Sequence, residues 1–183
     1  MLYKFKSVLA ATIVIMTACG SEKNKESAQN NDHTGHDTMQ MDNKVSREGV
    51  KIKDDNLSAV YHQYTLLTEA LISENVIDAK VASNAIEAGS KYLKDGTRIA
   101  GAAARITAAR DIESQRREYA QLSHTLISLV KESGTNSDEV YVDICPMAMN
   151  DKGAFWLSST KNIRNPYYGD KMLTCGQVKE TIK

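Results

Sequence analysis

Two short clusters near the C-terminus carry the residues best suited to chemistry. One is Cys145-Pro146-Met147-Ala148-Met149; the other is Met172-Leu173-Thr174-Cys175. Each sets a thiol beside thioethers. Thiolate and thioether sulfur are the donors that Cu(I) and similar soft ions select. The chain has 3 cysteines, and the first, Cys19, has another reading. Residues 1–18 resemble an export signal: Lys4 and Lys6 precede an apolar run from Val8 to Met16. That run is shorter than the roughly 20 apolar residues a spanning helix needs. Met16-Thr17-Ala18-Cys19-Gly20 is similar to a bacterial lipobox, with Cys19 as the lipidated residue. Cys145 and Cys175 are then the cysteines left for a site.

Two chemistries stay open for that pair. In one, Cys145 and Cys175 supply thiolates and Met147 and Met172 thioethers to a soft metal, with Met149 a weaker ligand. In the other, the two cysteines form a disulfide, which an exported protein permits. His124, on a helical stretch, is a further weak candidate ligand; His62 is a weaker one. A second metal-affine stretch lies upstream, where His33, His36, Met39 and Met41 fall within nine residues of a polar segment. Imidazole with thioether suits copper.

The composition narrows the class. The chain balances 23 basic against 23 acidic residues. Removing a signal that carries Lys4 and Lys6 tips it slightly negative, so nucleic acid is not an expected partner. No glycine-rich phosphate loop, Cys-x-x-Cys pair or His-Glu-x-x-His motif occurs, and no enzymatic reading is favoured. Glu113 and Glu118 share a helix with Arg110, Arg116 and Arg117, where ion pairing explains them.

The elements that must position the sulfur clusters follow from patterning. Residues 19–53 are polar and read as a disordered tether; residues 54–183 read as the folded domain. Leu57, Val60, Tyr61, Tyr64, Leu67 and Leu71 keep the helical period after N-capping candidates at Asp54 to Asn56. A second helix is expected after Asp78 as its cap. Its apolar stripe runs Ala85, Ile86, Gly89 and Leu93, and Asp95-Gly96 ends it. Thr97 is the expected cap of an alanine-rich third helix with Ile99, Ala102, Ala103 and Ile106. A fourth, from about Asp111 to Lys131, carries Ile112, Tyr119, Leu122, Leu126, Leu129 and Val130. Nothing between Ala108 and Asp111 strongly separates the last two. Short connections imply an up-and-down antiparallel bundle of three to four helices. Beyond it, residues 139–144 read as a strand running into Cys145, and Ala154 to Leu157 as a second strand after a turn at Asn150 to Gly153. Strand alternation would set Cys145, Met147 and Met149 on one face. Gln177 to Ile182 reads as a short helix. The expected class is mainly α, with a small C-terminal β-hairpin/loop cap of which Trp156, Tyr167 and Tyr168 form the core.

The run from Tyr141 to Cys175 also carries a resemblance. Its anchors are Cys145-Pro146-Met147-Ala148, Gly153, Trp156-Leu157-Ser158, Ile163, Asn165-Pro166-Tyr167-Tyr168-Gly169 and Lys171-Met172-Leu173-Thr174-Cys175-Gly176. Asp111-Ile112-Glu113, Gln115-Arg116 and Leu122-Ser123 fit upstream. Over about residues 55–183 the chain resembles a domain of unknown function of bacterial envelope proteins. That domain occurs alone in lipoproteins, and fused to the membrane-fusion (adaptor) subunits of copper/silver-type heavy-metal efflux pumps. Cys-Pro-Met is similar to a short heavy-metal-binding motif of such adaptors and of copper-exporting ATPases. A histidine often follows the methionine there; Ala148 stands here, so that ligand is missing. The resemblance implies a metal-handling setting: a protein lipid-anchored in the cell envelope, facing periplasm or exterior, binding Cu(I) or another soft metal. Its implied partners are the membrane and an efflux adaptor or other envelope protein. The alternative is an interaction module without metal, docked on such a partner and closed by a Cys145–Cys175 disulfide.

Overall fold

The computed structural model describes residues 49–136 and 138–183. The signal at 1–18, Cys19, and the tether residues His33, His36, Met39 and Met41 lie outside the described residues.

Four helices come first in the described chain, and local signals set their ends. α1 spans Asp55–Ile72, and Asp54 caps it by accepting from the Leu57 N–H at 2.8 Å. α2 spans Val76–Ser90. Its cap is Asn75, not the expected Asp78: the Asn75 side chain accepts from the Ile77 and Asp78 N–H groups, each at 3.1 Å. Asn75 offers the same oxygen one turn earlier, and Asp78 instead places its charge in the first turn, where it favours the helix dipole. α3 spans Gly96–Ala108, starting after Asp95 rather than capped by Thr97. α4 spans Ile112–Ser133. It is separate from α3, because Ala109 is extended and Asp111 caps the new helix through Ser114 N–H at 2.8 Å. Gly134, at φ 73°, ends it.

Successive helices pack on one another, and α4 returns against α1, as short connections require of an up-and-down bundle. The buried stripe comprises the residues the helical period selects, among them Leu57, Tyr64, Leu67, Leu71, Ile86, Ile99, Ala103, Ile106, Leu122 and Leu126. Packing begins slightly before the expected boundary at 54. Ile52 is buried and bridges Thr135, and Lys53 N–H donates to Gly134 O at 3.0 Å.

The C-terminal region is a three-stranded antiparallel sheet in the order β2-β1-β3. Its strands are β1 (Val140–Cys145), β2 (Ala154–Ser158) and β3 (Gln177–Ile182). The helix expected at Gln177 to Ile182 is therefore corrected to a strand. Six residues are too few to nucleate a helix alone. Val178, Thr181 and Ile182 suit a pleated surface, and the free edge of β1 supplies the hydrogen bonds. Pairing slips between Val142 and Asp143, so Lys179 becomes an extra residue on β3. A bulge and a lysine on an open edge both discourage further strand addition.

A line of aromatic rings ties sheet to bundle. Tyr61, Tyr64, Tyr119, Tyr167 and Trp156 follow one another at centroid distances of 6.3, 5.2, 5.6 and 6.0 Å. Two of the hydroxyls, those of Tyr64 and Tyr167, bond across the same joint. Tyr64 accepts from Leu157 N–H at 3.1 Å and meets Ser123 at 2.7 Å; Tyr167 donates to Phe155 O at 2.7 Å. Buried phenols that keep a hydrogen-bond partner lock orientation as well as area.

Candidate metal centre

The structure brings Cys145 and Cys175 together. Their Sγ atoms lie 3.7 Å apart, in thiol–thiol contact, and both are free. Sheet register causes this. Cys145 is the last residue of β1, and β3 begins at Gln177 opposite Ile144. The segment entering β3 must pass the end of β1, so Cys175 arrives beside Cys145. Gly176 makes that passage possible: its φ is 143°, and a Cβ there would stand 2.8 Å from Ile144 O.

The two thiols sit in different surroundings. Cys145 is fully buried, and Cys175 is partly exposed. Desolvation, then the contact with Cys145, pushes the Cys175 thiol above its ordinary range. Cys175 is held at both its backbone groups: its N–H donates to Met172 O at 3.0 Å, and its carbonyl accepts from Asn165 Nδ2 at 2.8 Å.

Strand alternation does not carry the methionines onto the face of Cys145. β1 ends at Cys145, and the chain turns at Pro146 and Met147 into a short helical turn, Ala148–Asp151. Met149, Asn150 and Asp151 have φ of 55°, 56° and 61°, a left-handed run that side chains with a Cβ adopt only at a cost. Met147 is 45% exposed, and its carbonyl accepts from the Tyr168 hydroxyl at 2.8 Å. Met149 is partly buried against the core. Met172 closes a 3-10 turn, Gly169–Met172, and is half-buried. His124 is exposed on α4, in a groove with Ile127, Lys131, Val142, Phe155 and Glu180. His62 is exposed on α1 and lines a separate groove of about 510 Å³ beside Val50 and Ile52. Among the described residues, no three His, Cys, Asp or Glu side chains gather as a metal cluster.

A loop that sequence reasoning assigned only to the cap core organises the site. Asn165 is fully buried, and besides holding Cys175 it accepts from Tyr167 N–H at 2.8 Å. Arg116, buried on α4, donates to Pro166 O at 2.8 Å, to Leu71 O at 3.1 Å and to Glu113 at 2.6 Å. Gly169 seats the loop against α1: at φ 55°, a Cβ would fall 2.8 Å from Ile72 O. Tyr168 lies near both thiols; burial, then the charge of Cys145, raises its phenol. The Asn-Pro-Tyr-Tyr-Gly run signals a loop, and only its long-range bonds reveal what it holds.

Asp143 was also missed. It lies on the face of β1 that Cys145 shares, opposite Trp156. Fully buried, with neither carboxylate oxygen hydrogen-bonded, it is held by desolvation at a pKa of about 7. The Tyr61 hydroxyl, which feels its charge, is likewise buried and unpartnered. An acidic residue in a β-branched strand reads as solvent-facing by alternation, and no local signal reports that both faces are covered.

Comparison with known proteins places the bundle. Residues 60–138 match a family model described as a protein of unknown function (DUF3347). This part of the chain is thus similar to a domain family of unknown function. The matched span covers most of α1 and all of α2 to α4, and ends before Cys145. No curated protein and no solved structure matches. No helix among the described residues is long and apolar enough to cross a membrane.

Proposed function

We propose that Cys145 and Cys175 bind a soft metal ion, copper as Cu(I) or silver first among them. The observation that carries this reading is the 3.7 Å separation of two unbonded sulfurs from segments 30 residues apart. Cys145 ends β1 and the loop of Cys175 is held by Asn165, so little ordering is left for the ion to impose. Soft sulfur selects soft ions, and Met147, Met149 and Met172 stand close in sequence as further donors. The lipobox-like run at Cys19 supports a lipid-anchored envelope protein. The His33/His36/Met39/Met41 stretch supports weak capture by the tether, and the resemblance of the Tyr141–Cys175 run supports a place beside an efflux adaptor.

The test is a Cu(I) titration of the purified, reduced protein against a competing chelator. The wild type takes up one more equivalent than the Cys145→Ser/Cys175→Ser variant, which keeps only what the tether holds. Equal stoichiometry in the two proteins rules out the site.

A second reading rests on the same contact. A disulfide needs a sulfur separation of about 2.05 Å, so closing the 3.7 Å contact to that distance would convert the thiols into a staple for a non-metal interaction module. Under that reading the native protein has no free thiol at either position, and the double serine variant loses thermal stability without any change in metal uptake.

A further inference from the structure

We infer that Asn165 is the positioning residue of this centre, and that through it the fold imposes a bent geometry of three or more ligands on the ion. The inference rests on the metal reading above. A metal–thiolate bond of about 2.3 Å spanning sulfurs 3.7 Å apart subtends an angle of about 107° at the ion. A linear two-coordinate ion with the same bonds needs sulfurs about 4.6 Å apart. The pair must therefore open by nearly one ångström to hold an ion in a straight line.

Neither side gives that distance freely. Cys145 is fully buried at the end of the central strand, paired with Ala154. Cys175 sits on a loop, but Asn165 removes the loop's freedom. All four of its polar groups are committed: Nδ2 to Cys175 O at 2.8 Å, Oδ1 to Tyr167 N–H at 2.8 Å, N–H to Leu173 O at 2.8 Å, and carbonyl to Gly169 N–H at 3.2 Å. The next residue is fastened to the bundle, where Arg116 grips Pro166 O and Leu71 O together. Moving the Cys175 backbone away from Cys145 thus breaks the hydrogen bonds that Asn165 makes, whose unmade partners are expensive. The bent pair leaves the ion open on one side, and a thioether from Met147, Met149 or Met172 completes it. Two thiolates and a thioether suit a soft ion that accepts three or four ligands, and disfavour one that insists on two.

The test uses the full-length reduced protein loaded with Cu(I), with the Cys145→Ser/Cys175→Ser protein as the blank for ions on the tether. X-ray absorption counts the sulfurs around copper, and chelator competition gives affinity. The wild type shows three or more sulfurs. Asn165→Ala binds about 10- to 100-fold more weakly, the usual loss for an outer-shell partner, and shifts toward two sulfurs while the helical circular dichroism stays intact. Asn165→Asp keeps the side-chain shape and the acceptor for Tyr167 but loses the amide donor to Cys175. It gives the same shift should the alanine variant unfold. Two-coordinate copper in the wild type, or unchanged coordination and affinity in both variants, overturns the inference while the metal reading stands. A wild type that takes up no Cu(I) at the cysteines overturns the metal reading and this inference with it.

Discussion

In the bundle, three of the four helices begin at a side chain that caps a backbone N–H no more than three residues on: Asp54 on Leu57, Asn75 on Ile77 and Asp78, Asp111 on Ser114. In the C-terminal cap the decisive bonds join residues far apart in sequence. Tyr64 meets Leu157 across 93 positions, Arg116 meets Pro166 across 50, and Cys145 meets Cys175 across 30. The bundle's ends are set by local chemistry and its interior by a 3.6-residue stripe. The cap takes its shape from the bundle and from its own strand register. That contrast explains why the thiol pair can be positioned with little freedom on a region rich in loops: the rigidity is imported through Arg116 and the aromatic line.

Breaking the joint is the severest challenge to this contrast. Arg116→Ala removes the donors to Pro166 O and Leu71 O and the ion pair with the exposed Glu113. About 2–5 kcal/mol of stability is expected to go, at roughly 1–3 kcal/mol for each buried carbonyl left without its donor. Urea unfolding should show the loss, with copper affinity falling alongside it. A loss under about 1 kcal/mol would mean the cap stands without the bundle.

A smaller effect comes from Asp143, an unpartnered acid within the sheet. Its pKa is raised from 3.8 to about 7 in the folded protein, so the unfolded chain releases this proton first. Its contribution is full below about pH 4, falls as pH rises, and levels off above about pH 7, for a total on the order of 2–4 kcal/mol. Asp143→Asn should flatten this part of the stability–pH curve relative to the wild type. Parallel curves for the two proteins would show that Asp143 is solvated or paired in solution. The smallest expected effect sharpens the other side of the contrast: Asn75→Ala deletes a local cap and should cost about 1 kcal/mol, measured by thermal unfolding, with copper binding untouched.

Legibility in the sequence divides along the same line. The helical stripes and the bundle were readable because periodicity acts within a few residues; the break between α3 and α4 at Ala109 and the starts of α2 at Asn75 and α3 at Asp95 were not. β1 and β2 were readable from β-branched and aromatic runs. β3 was not: Gln177 to Ile182 carries no decisive local pattern, and the open edge of β1 alone makes it a strand. The same loss misplaced the methionines, since ending β1 at Cys145 depends on the left-handed turn at Met149 to Asp151. Asp143 stayed hidden because its burial depends on what packs over both faces of the sheet.

By itself the sequence determined the helical bundle and the kind of chemistry on offer, soft sulfur in two places, because side-chain type and short-range spacing suffice for both. Only the tertiary structure decided that the two thiols meet. Their contact follows from the antiparallel register of β3 on β1 and from the hold of Asn165 on Cys175, and each joins residues too distant in sequence for any local preference to specify.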